Sequence, residues 1–278
     1  MFSSSVNSSN TYLIATASED KTAMVYKFPH NHPVRVFTGH TETLQTVAFS
    51  PDDKSLLTAS SDGTARIWDV VNGNKEGTEK VLRHGKATVY SAAYDPKGEF
   101  IVTASEDETV RIWKVADTSQ PQLELTGHAA DIHSIAYSND GKRVVTASKD
   151  QTALVWEVSS GQLLIKLVGH EDEVYSAVFS PDGKFIVTAS ADRTARIWNI
   201  ENGSVILPPL RHSEKVKSAS YSHDGKFIAT AGDDSVARIW DAATGNEVRE
   251  FRGHSGPINK VTFRLSRFNL LCPFGAPV

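Results

Sequence analysis

The chain has 278 residues, 40% hydrophobic and 22% charged, with a formal net charge of -4 and an isoelectric point near 6.2. That composition is ample for a globular core and supplies no basic field for sequence-independent nucleic-acid binding. One cysteine, Cys272, excludes an internal disulfide framework and fits a reducing, cytoplasmic setting; the start MFSSSVNSSNTYLIATAS is no secretory signal, and no apolar run is long enough to span a bilayer.

From the first residues onward one phrase recurs: TAMVYKF around Tyr26, TARIWDV ending at 70, TVRIWKV at 115, TALVWEV at 158, TARIWNI at 200 and VARIWDA at 242. All five tryptophans sit in it, at 68, 113, 156, 198 and 240, and Tyr26 stands 42 residues before Trp68. A fixed period in this range means one supersecondary unit stacked many times.

The copy at 167–200, LVGHEDEVYSAVFSPDGKFIVTASADRTARIWNI, is the clearest. EVYSAVF, KFIVTAS and TARIWNI read as strands, the third with Thr194, Arg196 and Trp198 on one face and Ala195 and Ile197 on the other. Pro181-Asp182-Gly183 makes a tight turn between the first two, and a turn around Asp192 joins the next two. Asn202-Gly203 then leads into a fourth strand, Val205–Leu210, whose equivalents are Leu163–Val168 and Glu247–Phe251. Pro208 and Pro209 mark that strand as an outer edge. Four antiparallel strands per roughly 42 residues describe a propeller blade.

With its Gly-His pairs, its F-S-P-D-G turn, an aspartate six residues before each tryptophan and W-D or a near variant, the chain resembles the WD-repeat β-propeller family over residues 1 to about 263. The expected architecture is all-β, with four-stranded antiparallel blades, six full repeats and a partial seventh. The domains expected are a propeller at 1–263 and a degenerate tail or truncated blade at 264–278. Gly39-His40, Gly127-His128, Gly169-His170 and Gly253-His254 keep the pair, whereas Arg83-His84 and Arg211-His212 lose the glycine.

A hydroxyl, an imidazole and a carboxylate recur together in the copies: Thr58, His40 and Asp62; Thr103, His84 and Asp107; Thr146, His128 and Asp150; Thr188, His170 and Asp192; Thr230, His212 and Asp234. Thr16 and Asp20 lie in the first copy. One such set would read as a nucleophilic triad, but an active site is built once and no strained G-x-S-x-G turn is present. The resemblance implies another role, a buried hydrogen-bond chain with Trp68, Trp113, Trp156, Trp198 and Trp240. No catalytic residue, cofactor or metal is therefore expected. One histidine and one aspartate per copy fall short of a zinc site, as does the His30/His32 pair, and His133 and His223 read as surface residues. Sialidase-type aspartate boxes place tryptophan five residues after aspartate, not six, and Arg66, Arg111, Arg196 and Arg238 read as repeats of a blade surface.

Where the copies disagree, a partner would be read. The residue opening the first strand is Gln45, Tyr90, His133, Tyr175, Lys217 and Asn259 in turn. Thr43, Thr88, Asp131, Glu173, Lys215 and Pro257 lie two residues earlier, and Glu19, Ser61, Glu106, Lys149, Ala191 and Asp233 precede the turn aspartates. The candidate partner-binding residues are Tyr90, Glu106, His133, Lys149, Glu173, Tyr175 and Lys217, with the tyrosines as exposed aromatic anchors. The expected function is a protein-protein interaction scaffold that binds a protein or peptide on its narrow face. The alternative is a sensing or regulatory propeller of a larger multidomain signalling protein. A small-molecule substrate is not expected.

The ends leave two closures open. Met1–Asn7 can serve as a poor first strand, with Pro257–Phe263 beginning a seventh blade. Alternatively, Pro257–Phe263 replaces Met1–Asn7 and His254 partners Asp20 and Tyr26. The first is preferred, because seven positions is the commonest ring in the resembled family. RLSRFNLLCPFGAPV, after Phe263, lacks the turn aspartate and tryptophan, which suggests a gene fragment or an altered reading frame.

Overall fold

A computed structural model describes residues 2–7, 11–28, 30–73 and 79–263, with no side chains described for 2–7 and 11. The tail expected at 264–278, Cys272 included, lies outside the described residues. Among them there are strands and turns and no helix, in six four-stranded antiparallel sheets spanning 2–37, 44–83, 89–126, 132–167, 174–211 and 216–251. Each sheet is a meander whose strands pair in chain order, so every turn is a hairpin.

The strands lie where β-branched and apolar runs alternate with turn chemistry. In the fifth sheet, Val174–Phe179, Phe185–Ser190 and Thr194–Asn199 pair as Val187↔Ile197 and Val178↔Val187. The turn between the first two is closed by Ser180, whose hydroxyl donates to Asp182 at 2.6 Å, and by Gly183 at φ +68°. The fourth strand differs from expectation. Only Leu210–Arg211 pairs with the third strand, beyond a single bridge from Val205 to Trp198, because Pro208 and Pro209 interrupt the ladder.

First strands of successive sheets lie against one another, which stacks the sheets as blades around a common centre. Five apolar clusters lie between them, each joining two neighbouring sheets. In every cluster the tryptophan of one sheet packs on the preceding one, as Trp68 does with Ala15, Val25 and Phe37. Burial of this kind stabilises by roughly 25 cal/mol per Å² of apolar surface and fixes the spacing between blades.

Among the described residues no apolar cluster joins the last sheet to the first. Phe37, Leu82, Leu125, Leu167 and Leu210 fill the outer part of the five clusters at no more than 3% exposure, yet Phe251, at the same position of the sixth sheet, is 52% exposed. Tyr26, which replaces tryptophan in the first sheet, is half-buried and turns its hydroxyl to Met24 Sδ at 3.3 Å. Phe2–Asn7 pairs with Thr11–Ala17 as the first strand of its sheet, so Pro257–Phe263 does not take that place. His254 is exposed, and Asp20 bonds Thr22 within its own turn instead. Residues 257–263 run beside Val216–Tyr221, with Val261 N donating to Ser218 Oγ at 3.1 Å and Ile258 N to Gly232 O at 2.9 Å. The seventh position is begun, but this segment forms no ladder.

Candidate functional site

The repeated polar residues meet beneath one end of the blades. In the second sheet Trp68 Nε1 donates to Thr58 Oγ1 at 2.8 Å, Thr58 lies 2.8 Å from His40 Nε2, and His40 Nδ1 lies 2.7 Å from Asp62 Oδ2. The same contacts recur in the fourth sheet (Trp156, Thr146, His128, Asp150) and the fifth (Trp198, Thr188, His170, Asp192). In these three sheets the amide after the histidine also donates to the aspartate, from Thr41, Ala129 and Glu171. Burial pushes the Asp192 carboxyl upward, but the bonds from His170 and Thr194 outweigh it and hold it well below the carboxylate range; Asp62 and Asp150 behave alike. Thr58, Thr146 and Thr188 are fully buried with their hydroxyls engaged, so no substrate carbonyl can reach them. The arrangement ties the histidine loop to the turn between the second and third strands. His30 and His32 stack with ring centroids 5.6 Å apart on the surface, and among the described residues no cluster of three metal-ligating side chains gathers.

Two sheets depart from this scheme, and the arginines read as surface repeats explain how. Where Arg83 and Arg211 replace the glycine, Arg111 and Arg238 of the third strand enter the network. Arg238 Nη1 lies 2.6 Å from both His212 Nδ1 and Asp234 Oδ2, and is buried. Arg111 makes the same pair of contacts, to His84 Nδ1 and, at 2.8 Å, to Asp107. The links to threonine and tryptophan remain, His84–Thr103–Trp113 and His212–Thr230–Trp240. In a glycine sheet the guanidinium lies against the glycine instead. A β-carbon on Gly39 would stand 2.8 Å from Arg66 Nη1 and 3.3 Å from the Trp68 ring, so a side chain there takes the place of the guanidinium, and Arg66 pairs with Glu79 at 3.0 Å.

A buried serine two residues before the turn aspartate belongs to the same device. Ser60, Ser105, Ser148 and Ser190 donate to carbonyls of Glu42, Thr88, Ala130 and Asp172 at 2.9–3.0 Å and accept the aspartate amide. Its signal, a T-A-S phrase ahead of five aspartates, Asp20 included, stands in the sequence beside the threonine.

Above this network lie the positions where the copies differ. Ser61, Glu106, Lys149, Ala191 and Asp233 donate backbone bonds of 2.8–2.9 Å to the carbonyls of Thr43, Thr88, Asp131, Glu173 and Lys215, which joins the two series. In five sheets the register slips at the strand-opening residue: Gln45, Tyr90, His133, Tyr175 and Lys217 are each skipped by the pairing. Each is a β-bulge, a device that re-aims one side chain at a sheet end. Three of these bulged residues form a row across neighbouring sheets. His133 lies between Tyr90 and Tyr175, with ring centroids 5.4 Å from each. The tyrosines are therefore half-buried edges of a stack, not free-standing aromatics, and His133 is no simple surface residue. His223, by contrast, is exposed.

Charges flank the row. Glu173 Oε2 is 3.4 Å from His133 Nε2, Lys149 is 3.8 Å from Asp131, and Lys217 pairs with Asp233 at 2.7 Å and reaches Asn259 at 3.3 Å. Glu106 accepts the amide of Thr88 at 3.0 Å. Burial pushes the His133 imidazole down, more than Glu173 pulls it up.

The model of the WD domain, G-beta repeat family matches residues 31–69, 78–114, 119–157, 161–199 and 207–241. Each match joins the outer strand of one sheet to the first three of the next, the unit that shares one histidine loop. Set1 complex component swd2 of Schizosaccharomyces pombe is 36% identical over 69 residues, 25% of this chain and 19% of that protein. Nuclear distribution protein PAC1 of Arthroderma otae is 35% identical over 72 residues, 26% of this chain and 16% of that protein. Cross-pathway control WD-repeat protein 2 of Flammulina velutipes is 36% identical over 69 residues, 23% and 22% of the respective chains. The chain thus matches less than a quarter of the length of these relatives.

Proposed function

The chain belongs to the WD-repeat family, whose members act as protein-interaction scaffolds, and from that premise we propose that it is a non-catalytic scaffold holding a protein or peptide across the face that carries the bulged residues. One observation carries this reading. Beneath that face every blade from the second to the sixth keeps the same threonine, histidine and aspartate, while the residue re-aimed by the bulge is Gln45, Tyr90, His133, Tyr175 or Lys217. A framework held constant under a variable, bulge-directed surface is what selective recognition requires. The tyrosine-histidine row supplies rigid aromatic area at its centre, the kind of surface that carries interface energy. The buried hydroxyls argue against acyl-transfer chemistry by the triad-like sets.

Affinity capture from cell extract tests the reading, with the Tyr90→Ala/Tyr175→Ala double variant as control. The expected result is loss of specifically captured proteins at an unchanged melting temperature. An unchanged set of captured proteins refutes it.

A further inference from the structure

Charge is unevenly compensated on the proposed docking face. Lys149 stands against Asp131 and Lys217 against Asp233. Lys215 lies near the Tyr175 hydroxyl, with Asp172 and Glu173 beyond it. Around Tyr90 the balance is reversed. Glu106 and Glu173, with the Asp131 that Lys149 pairs, all lie close enough to hold the pKa of its hydroxyl above the ordinary value, after burial. Among the described residues no lysine or arginine pairs with Glu106 or Glu173. The histidine beside Glu173 does not neutralise it either, because burial holds His133 in its uncharged form near pH 7.

These carboxylates are also held in place. Glu106 is pinned by the Thr88 amide, and the backbone bond from Glu106 N to Thr88 O closes the same pair. The Glu173 amide donates to Asp172 at 2.8 Å, and its carboxylate touches the central ring of the row. The Tyr90 ring is fixed by the bulge beneath it and by its edge-on contact with His133, interplanar angle 70°. An electron-rich ring face within a fixed arc of carboxylates attracts a cation twice, through the ring quadrupole and through charge.

We propose that the Tyr90–His133–Tyr175 row, with Glu106, Asp131 and Glu173, is a subsite for a cationic side chain, lysine or arginine, of an extended peptide segment of the protein partner. The assignment rests on the docking reading and narrows it: the partner segment is basic, and its cation lies over Tyr90. Arginine is the better fit, since its planar guanidinium can stack on the ring and offer its edge to a carboxylate at once.

The test uses three fluorescein-labelled Gly/Ser peptides that differ only at two adjacent central positions, filled with arginine, lysine or glutamate. Binding to the whole protein is read by anisotropy at low and at near-physiological salt. The expected order is arginine above lysine, with no binding of the glutamate peptide and weakening by salt. Tyr90→Ala and Glu106→Gln should each weaken the arginine peptide by about fivefold to tenfold. Glu106→Gln keeps the shape of the side chain, so its effect reports charge and not folding. Equal binding of the arginine and glutamate peptides, or arginine affinity indifferent to Glu106→Gln, overturns the inference. If that happens while the double tyrosine variant still loses its captured proteins, the docking face stands and only its cationic specificity falls.

Discussion

Arg238 Nη1 lies 2.6 Å from Nδ1 of His212, so this nitrogen accepts a hydrogen bond and the proton of the neutral ring sits on Nε2, facing Thr230 at 2.7 Å. In the glycine sheets the order is reversed: Nδ1 of His170 faces the Asp192 carboxylate at 2.7 Å and must donate. One fold thus carries its histidines in two tautomers, set by whether a third-strand arginine reaches Nδ1. Long-range nitrogen-proton spectra should show His84 and His212 protonated on Nε2, and His40, His128 and His170 protonated on Nδ1. A single tautomer throughout would contradict the arginine role.

The same contact predicts an acid-sensitive blade. His212 is held down to about 4 from an ordinary 6.5, first by burial and then by Arg238. The unfolded imidazole gains a proton below about 6.5 and the folded one resists until about 4. Stability is therefore full above that window, falls as pH drops through it, and has lost about 3 kcal/mol at its lower end. Urea melts between pH 7 and 4 should show the loss, and His212→Gln should flatten that part of the profile. The depressed aspartates act lower: their contribution is present above about 3.8 and is lost as pH falls below it.

Asp192→Ala should cost about 3 kcal/mol, because it strands the buried His170 Nδ1–H and the amides of Glu171 and Thr194 together. Asp20→Ala should cost less than about 1 kcal/mol, since that exposed carboxylate accepts from the amide and hydroxyl of Thr22 within its own turn. Chemical denaturation of the two variants checks the contrast, and equal losses would remove the network from the account of stability.

The blade pattern was legible because the chain aligns with itself: Trp, Thr, His and Asp recur in register, and repetition separates what holds a blade from what varies. The entry of Arg111 and Arg238 was not legible, because it depends on where the guanidinium goes once the glycine 28 or 27 residues upstream is replaced. The bulges are not legible either, since a skipped residue leaves no mark in an alternating run such as VYSAVF. The tyrosine-histidine row needs three strands brought side by side, and its members stand 42 and 43 residues apart. Val205–Leu210 has the apolar character of one strand, but its two prolines withhold the amides a ladder needs.

The turn after each aspartate carries a further prediction. The next residue has positive φ in every sheet, at Lys21, Gly63, Glu108, Gln151, Arg193 and Ser235, yet only Gly63 is glycine. Gln151→Gly should stabilise by about 0.5–1 kcal/mol by relieving the left-handed conformation, as read from thermal melts. Gly63→Ala should destabilise by more than that, since its β-carbon would stand 2.5 Å from the Gly85 carbonyl oxygen. A neutral Gln151→Gly would mean that the side chain earns its place in contacts that the turn geometry does not show.

The wedge between the sixth and first sheets has the surface of a blade-to-blade contact on both sides. Phe251 stands where five other side chains are buried, Gly253 has open space where Gly39, Gly127 and Gly169 meet a tryptophan ring, and Tyr26 waits where tryptophan packs elsewhere. Residues 257–263 already occupy the first-strand position, held by Ser218 and Gly232. Appending a copy of residues 180–211 directly after Phe263, in place of 264–278, sets the new turn aspartate 22 residues after His254, the spacing His170 keeps to Asp192. That graft should bury Phe251 against a new tryptophan and raise the melting temperature by about 5 °C or more, given the apolar area it removes from water. It should also protect the amides of 257–263 from hydrogen exchange. A graft that leaves melting and exchange unchanged would show that the wedge is not shaped for a blade, and that the six sheets are held by their five mutual interfaces alone.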